Sequence, residues 1–302
     1  VIVVPNFTVD FKAMGTTVRA WLNVPNAAQA QVLRQVPAWV ETYEATLSRF
    51  RPTSELSYLN AHAGHWVRVL PLLFRAVSVA VEAADMTGGL VNPLILPALE
   101  AAGYDHSFDP VSFRPGSHAA IADVPDWREI GLDSDESCIY LPPGSKIDLG
   151  GVAKGWIVQQ IASRLNTAGP CLVDAGGDLV ALGKPVESDL DGWLVTTPGS
   201  PNVDTGSPRH ILLRNAAVAT SGVDYRRWSR DGQEFHHLID PRSGLPARSD
   251  VLTATVVAPD AVQAEAWAKA ALIGGALPDL PALFVYHNGS RSCNAHFEEL
   301  WR

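Results

Sequence analysis

The chain has 302 residues, 47% of them hydrophobic and 18% charged, and a formal net charge of −9. That balance describes a globular protein with a substantial buried core and excludes a disordered chain. The acidic total, with no Lys/Arg cluster, excludes broad nucleic-acid binding, and no apolar run approaches the length of a membrane span.

The first periodic segment alternates: Val18, Ala20 and Leu22 share one face of a strand that follows Phe11-Lys-Ala-Met-Gly-Thr16. A helical pattern then runs from about Ala27 to Leu47, with Pro37 placed to kink or divide it. A second helix is expected from Pro71, whose ring suits the first turn, through Val81, with Gly88-Gly89 as its stop. Residues 103–120 are rich in Gly, Pro, Ser and His and read as a long loop. From Ile130 the pattern turns to strands, and a short apolar run ends at Asp148. A Gly150-Gly151 turn and a helical segment through Leu165 follow.

In the second half, Leu172–Val180 reads as strand, glycine turn and strand. Trp193–Thr196, Ile211–Leu213 and Val251–Val257 are further strands, and residues 198–208 form a polar loop. Asp260 is placed to N-cap a last helix, Ala261 to Ile273, ended by Gly274-Gly275. Strands and helices are segregated, so the expected class is α+β, a single domain over 1–302 with sub-halves dividing near 145/146. Cys138, Cys171 and Cys293 are odd in number and widely spaced, matching no zinc or disulfide framework. The expectation is buried free thiols.

Asp148–Gly155 holds the densest chemistry. The glycines allow close backbone approach, and the free N–H groups of a helix start attract anions. Lys154 is a cation at the end of a helix that ordinarily prefers an acid, which implies a negative group there, such as a phosphate. The plain alternative is an exposed lysine beyond a turn. Phe50 offers an aromatic face to a planar ligand, and Ser54 is better placed to cap the short helix after it than to react. Thr220 and Ser221 place hydroxyls beside Gly222, but the nucleophile-elbow pattern of serine hydrolases is absent. If Phe235-His-His237 is a strand, its two histidines face opposite ways and only one serves a given site, as a general base or as a structural group.

In this order, Met14-Gly-Thr16, Ser54-Glu-Leu…Asn60, Asp148-Leu-Gly-Gly…Lys154-Gly155, Asp174-Ala-Gly-Gly-Asp178, Thr220-Ser-Gly222 and His237-Leu-Ile-Asp-Pro…Gly244 resemble the motifs of the FAD:protein FMN transferases, the ApbE family. The resemblance runs from about residue 11 to 276. It implies an α+β fold of two mixed halves with a flavin cleft between them. It also implies cleavage of FAD, attachment of FMN to a Thr or Ser hydroxyl of a target protein, release of AMP, and help from magnesium. Carried over by position, Met14 and Phe50 flank the flavin, the latter where the family often has tyrosine. Leu90, Val91 and Asn92 line the same pocket in place of the usual Ala-Phe-Asp. Asp148 binds the nucleotide, Lys154 reaches its phosphates, and Ile239 contacts FAD through its backbone. His237 transfers the proton, with Thr220 and Ser221 in support.

The implied metal site departs from the family. Its carbonyl falls at Gly151, but the helical Asp and Thr are here Glu265 and Lys269. A glutamate can ligate Mg²⁺, whereas an ammonium has no lone pair and repels the cation. The competing reading is a surface i,i+4 ion pair of roughly 0.3–0.5 kcal/mol. The departure leaves two alternatives to the transferase, an FAD pyrophosphatase and a flavin-binding protein with impaired transfer. Family members occur as exported lipoproteins and as cytoplasmic enzymes. With only a short stretch and no lipobox cysteine before Met14, the expected compartment is the cytoplasm, with export open if a leader was trimmed.

Overall fold

The computed structural model describes residues 7–109, 113–115, 123–186, 188–197, 210–230 and 232–301. The expected 198–208 loop lies outside them, as does much of the loop expected over 103–120. The chain forms two compact units that interleave in sequence: residues 1–41, 154–222 and 250–302 make one, and residues 42–153 and 223–249 the other. The chain therefore changes unit four times.

The first unit is built on one eight-stranded sheet: β1 (Phe7–Ala13), β2 (Thr16–Leu22), β3 (Cys171–Ala175), β4 (Asp178–Leu182), β5 (Ala216–Gly222), β6 (Val251–Ala258), β7 (Ala282–Tyr286) and β8 (Arg291–Cys293), neighbouring in that order. Every pairing is antiparallel, which gives the α+β class. Two helices, Ala153–Asn166 and Ala261–Gly274, belong to this unit but for the first residue of the earlier one. The second follows the sequence reading: the Asp260 carboxylate accepts from the Gln263 N–H, and Gly275 closes the helix at φ 67°.

Register sorts the sheet into two faces. Val173, Val180, Ala217, Ala219, Ala254 and Val256 share one, with Cys171 bonded to the Ala162 carbonyl of the Ala153–Asn166 helix. Leu172, Leu179, Val218, Val257 and Leu283 share the other, in one apolar cluster with Trp193, Ile211 and Phe297. Cys171 is thus the buried thiol that was expected, but Cys138, at the start of the central strand of a small three-stranded sheet, and Cys293, at the end of the edge strand of the large one, are only half-buried.

The helical pattern over 27–47, which lies in the first unit as far as Glu41, resolves into Ala27–Ala30, a 3₁₀ turn at Gln31–Gln35 and a helix at Val36–Leu47; the break precedes Pro37, as a prolyl ring requires. In the second unit Glu55–Ala61 is capped by Ser54, and Pro71–Met86 runs up to Thr87 and the two glycines. The apolar run into Asp148 is not a strand. Its backbone is held by a side chain instead: Asn60 Nδ2 donates to the Ile147 carbonyl at 2.9 Å, and its Oδ1 accepts from the Ile147 N–H at 2.7 Å. The Asp148 N–H donates to the Pro93 carbonyl. Asn60 therefore does for this segment what a neighbouring strand would do.

Candidate functional site

In the first unit the polar residues gather at one end of the sheet, where two tight hairpins lie side by side. Met14 and Gly15, at φ 53° and 66°, join β1 to β2; Gly176 and Gly177, at φ 62° and 98°, join β3 to β4. Positive φ at both central residues marks the turn family that matches strand twist, at a cost for Met14, which carries a side chain. A Cβ on Gly176 would stand 2.3 Å from Thr16 Oγ1, so the Met14-Gly-Thr16 and Asp174–Asp178 motifs are neighbours.

Asp178 and Ser221 fall on the helix-bearing face of the sheet, Asp174 and Thr220 on the other. Asp178 is buried and takes the Lys154 ammonium in an ion pair. Glu265, 1% exposed, accepts from the Gly155 N–H through Oε2 at 2.8 Å and from the Lys269 ammonium through Oε1 at 2.8 Å. Burial pushes the Glu265 carboxyl up, opposed by Lys269, while Asp178 adds to the rise and Lys154 opposes it. Asp174 is likewise raised by burial, against the Gly177 N–H it accepts and the Lys154 charge.

Among the described residues Lys154 has a carboxylate partner of the protein's own, Asp178, and the Gly155 N–H has Glu265. The surface-pair reading of Glu265 and Lys269 fails, because the Ala-rich helix packs the carboxylate into the core. Thr220 and Ser221, one on each face, do not converge; Thr220 Oγ1 instead shares a hydrogen bond with Thr255 Oγ1 at 2.9 Å.

The second unit holds a different cluster. Arg49 Nε lies 2.6 Å from Asp148 Oδ2, its Nη2 donates to the Tyr104 carbonyl at 2.9 Å, and its guanidinium lies over the Phe50 and Tyr104 rings at 4.1 and 4.7 Å. Asp148 Oδ1 also accepts the Gly150 N–H, and a Cβ on Gly150 would crowd that oxygen at 2.8 Å. Phe50 keeps 37% of its surface exposed at the margin of an aromatic group that includes Tyr104, Phe113 and Trp228. Burial pushes the Tyr104 hydroxyl up. Arg49 was missed from the sequence; its place directly before Phe50 was the one available signal.

Asn92 is occupied structurally, capping the Leu94 N–H and donating to the Pro125 carbonyl, while Val91 is buried, with its Cγ1 3.2 Å from where a Gly151 Cβ would stand. Leu90 is half-buried. Ile239 is buried in the aromatic group and pairs with Pro246. His236 has both ring nitrogens engaged, Nε2 with the Ala247 carbonyl and Nδ1 with the Leu238 N–H, which gives it a structural role. His237 lies just beyond the Gln233–His236 strand, its N–H donating to the Arg226 carbonyl, so strand alternation does not govern it.

The side chains do not fit a divalent cation. Mg²⁺ takes oxygen ligands with unspent lone pairs and net negative charge. Here the negative charge is already neutralised, Glu265 by Lys269 and Asp178 by Lys154, and an ammonium on Glu265 would repel an incoming cation. Among the described residues no group of three or more His, Cys, Asp or Glu could hold a metal ion. Gly151 belongs to the other unit.

An antiparallel α+β protein with an ion cluster at paired glycine hairpins defines the class. The chain belongs to the ApbE family, whose model matches residues 14–283. It is 28% identical over 295 residues to the FAD:protein FMN transferase of Treponema pallidum, covering 89% of this chain and 81% of that protein. It is 27% identical over 243 residues to one from Klebsiella pneumoniae, covering 76% and 71%. Among solved structures, the ApbE protein of Thermotoga maritima superposes with a TM-score of 0.85 at 23% identity over 98% of this chain and 99% of that one. The apo flavinyl transferase ApbE of Pseudomonas stutzeri gives 0.79 at 20% identity over 98% and 96%.

Proposed function

We propose that this chain is an FAD:protein FMN transferase. The observation that carries the reading is the ordered set of motifs inside the family match over residues 14–283. The hydroxyl oxygen of a target Thr or Ser attacks the phosphorus on the riboflavin side of the FAD pyrophosphate. The new phosphoester bond forms as the bond from that phosphorus to the bridging oxygen breaks. AMP leaves with the bridging oxygen, and the hydroxyl proton passes to a base.

Such a transfer depends on positioning and charge neutralisation more than on covalent help from the enzyme. Lys154 keeps part of its side chain exposed while paired to Asp178, so its charge is available to a phosphate. Met14 and Phe50 flank the flavin, Leu90 and Val91 line the same pocket, Ile239 contacts FAD through its backbone, and Asp148, held by Arg49, binds the nucleotide. Asn92 acts by shaping the backbone there. His237 is the base by its place in the family motif His237-Leu-Ile-Asp-Pro, which lies within the family match. The Thr220 and Ser221 hydroxyls act from opposite faces and so in separate roles.

The test is incubation with FAD and a threonine-bearing target protein. Flavin fluorescence that stays with the denatured target, with AMP released, supports the reading. Free FMN with AMP makes the chain a pyrophosphatase, and saturable binding of unchanged FAD makes it a flavin-binding protein.

A further inference from the structure

We propose that Lys269 supplies, as a fixed ammonium, the positive charge that a divalent cation would otherwise bring to Glu265, so that this chain binds FAD and transfers FMN without a metal ion. The inference rests on the transferase reading above.

The Glu265 carboxylate has two oxygens and two partners: the Gly155 N–H at the start of one helix and the Lys269 ammonium one turn along its own. Glu265 is almost fully buried and Lys269 largely so. Each carboxylate on the helix-bearing face has its own ammonium, Lys269 for Glu265 and Lys154 for Asp178, so neither brings uncompensated charge to a divalent ion; Asp174 lies on the opposite face of the sheet. An ammonium is a compact point charge with three donors, able to hold one carboxylate oxygen and still project positive potential towards a phosphate. Tethering makes that charge permanent, independent of ion concentration and of chelators. A metal could enter only by displacing the ammonium from its carboxylate.

Binding of Mn²⁺ to the apo protein, read by electron paramagnetic resonance, requires no turnover. The wild-type protein is expected to bind none above background, and Lys269→Thr, which exchanges the ammonium for a hydroxyl oxygen, to bind one ion. Saturable Mn²⁺ binding by the wild type would overturn the proposal. In the transfer assay, EDTA is expected to change the wild-type rate by less than about twofold. Lys269→Thr is expected to lose about tenfold or more in EDTA and to recover with Mg²⁺. A wild-type rate abolished by EDTA and restored by Mg²⁺ would refute it equally. If Lys269→Thr does not fold, both wild-type arms still decide. If no flavin is transferred under either condition, the transferase reading fails and the Mn²⁺ measurement alone judges the cation inference.

Discussion

Gly155→Ala sets two ordinary effects against each other. Alanine in place of glycine inside a helix stabilises by about 0.5–1 kcal/mol, because the unfolded chain loses less freedom. At this position, however, the added Cβ would lie 2.6 Å from the Ala261 carbonyl oxygen and 2.9 Å from Glu265 Oε2. The first of these is backbone, so no rotamer change relieves it, and the two helices must separate by several tenths of an ångström. Overpacking of this kind costs about 1–3 kcal/mol. The separation also stretches the 2.8 Å bond from the Gly155 N–H to Glu265, a bond to a charged acceptor and so of about 1.5–3 kcal/mol. The net expectation is destabilisation by roughly 2–4 kcal/mol. Urea denaturation followed by circular dichroism would show it as a lower midpoint. Gly88→Ala, with open space around its Cβ, serves as a control in which only positive-φ strain acts. A Gly155→Ala protein as stable as wild type would show that the helices do not meet as described.

Four further outcomes follow from the same geometry. Cys171 is buried and its thiol is pushed up to about 12, so the folded state keeps a proton that the unfolded chain releases above about pH 9. Stability should therefore fall between about pH 9 and 12 by up to about 1.4 kcal/mol per pH unit, and Cys171→Ala should remove that slope in denaturation series. His237→Ala should lower the transfer rate by about 100–10,000-fold with FAD binding retained, whereas His236→Ala should lower the unfolding midpoint. Arg49→Met leaves the largely buried Asp148 carboxylate without its guanidinium and should cost roughly 3–5 kcal/mol in urea denaturation. Arg49→Lys should not fully restore it, since one ammonium cannot reproduce the bonds to both Asp148 and Tyr104. Ser54→Ala removes the acceptor for the Ser57 N–H and should destabilise by about 1 kcal/mol, measured in the same way.

What the sequence by itself determined is local. Pro71, Asp260, Gly275, Ser54 and the Gly176-Gly177 pair act on backbone within a few residues of themselves, so the elements they start or stop were readable in order. The ordered motifs likewise carried the family. Ionic partners were not readable in the same way. Glu265 meets Gly155 across 110 residues, and Asn60 holds Ile147 across 87, because antiparallel strands and two helices bring those segments together. The same reason explains the partners found around Lys154. The sequence showed a cation at a helix start and implied an anion, but only the tertiary structure supplied Asp178 and Glu265. Whether an i,i+4 pair lies in solvent or in the core depends on what the helix packs against, and burial turned Glu265 and Lys269 from a surface ornament into the charge balance of the site.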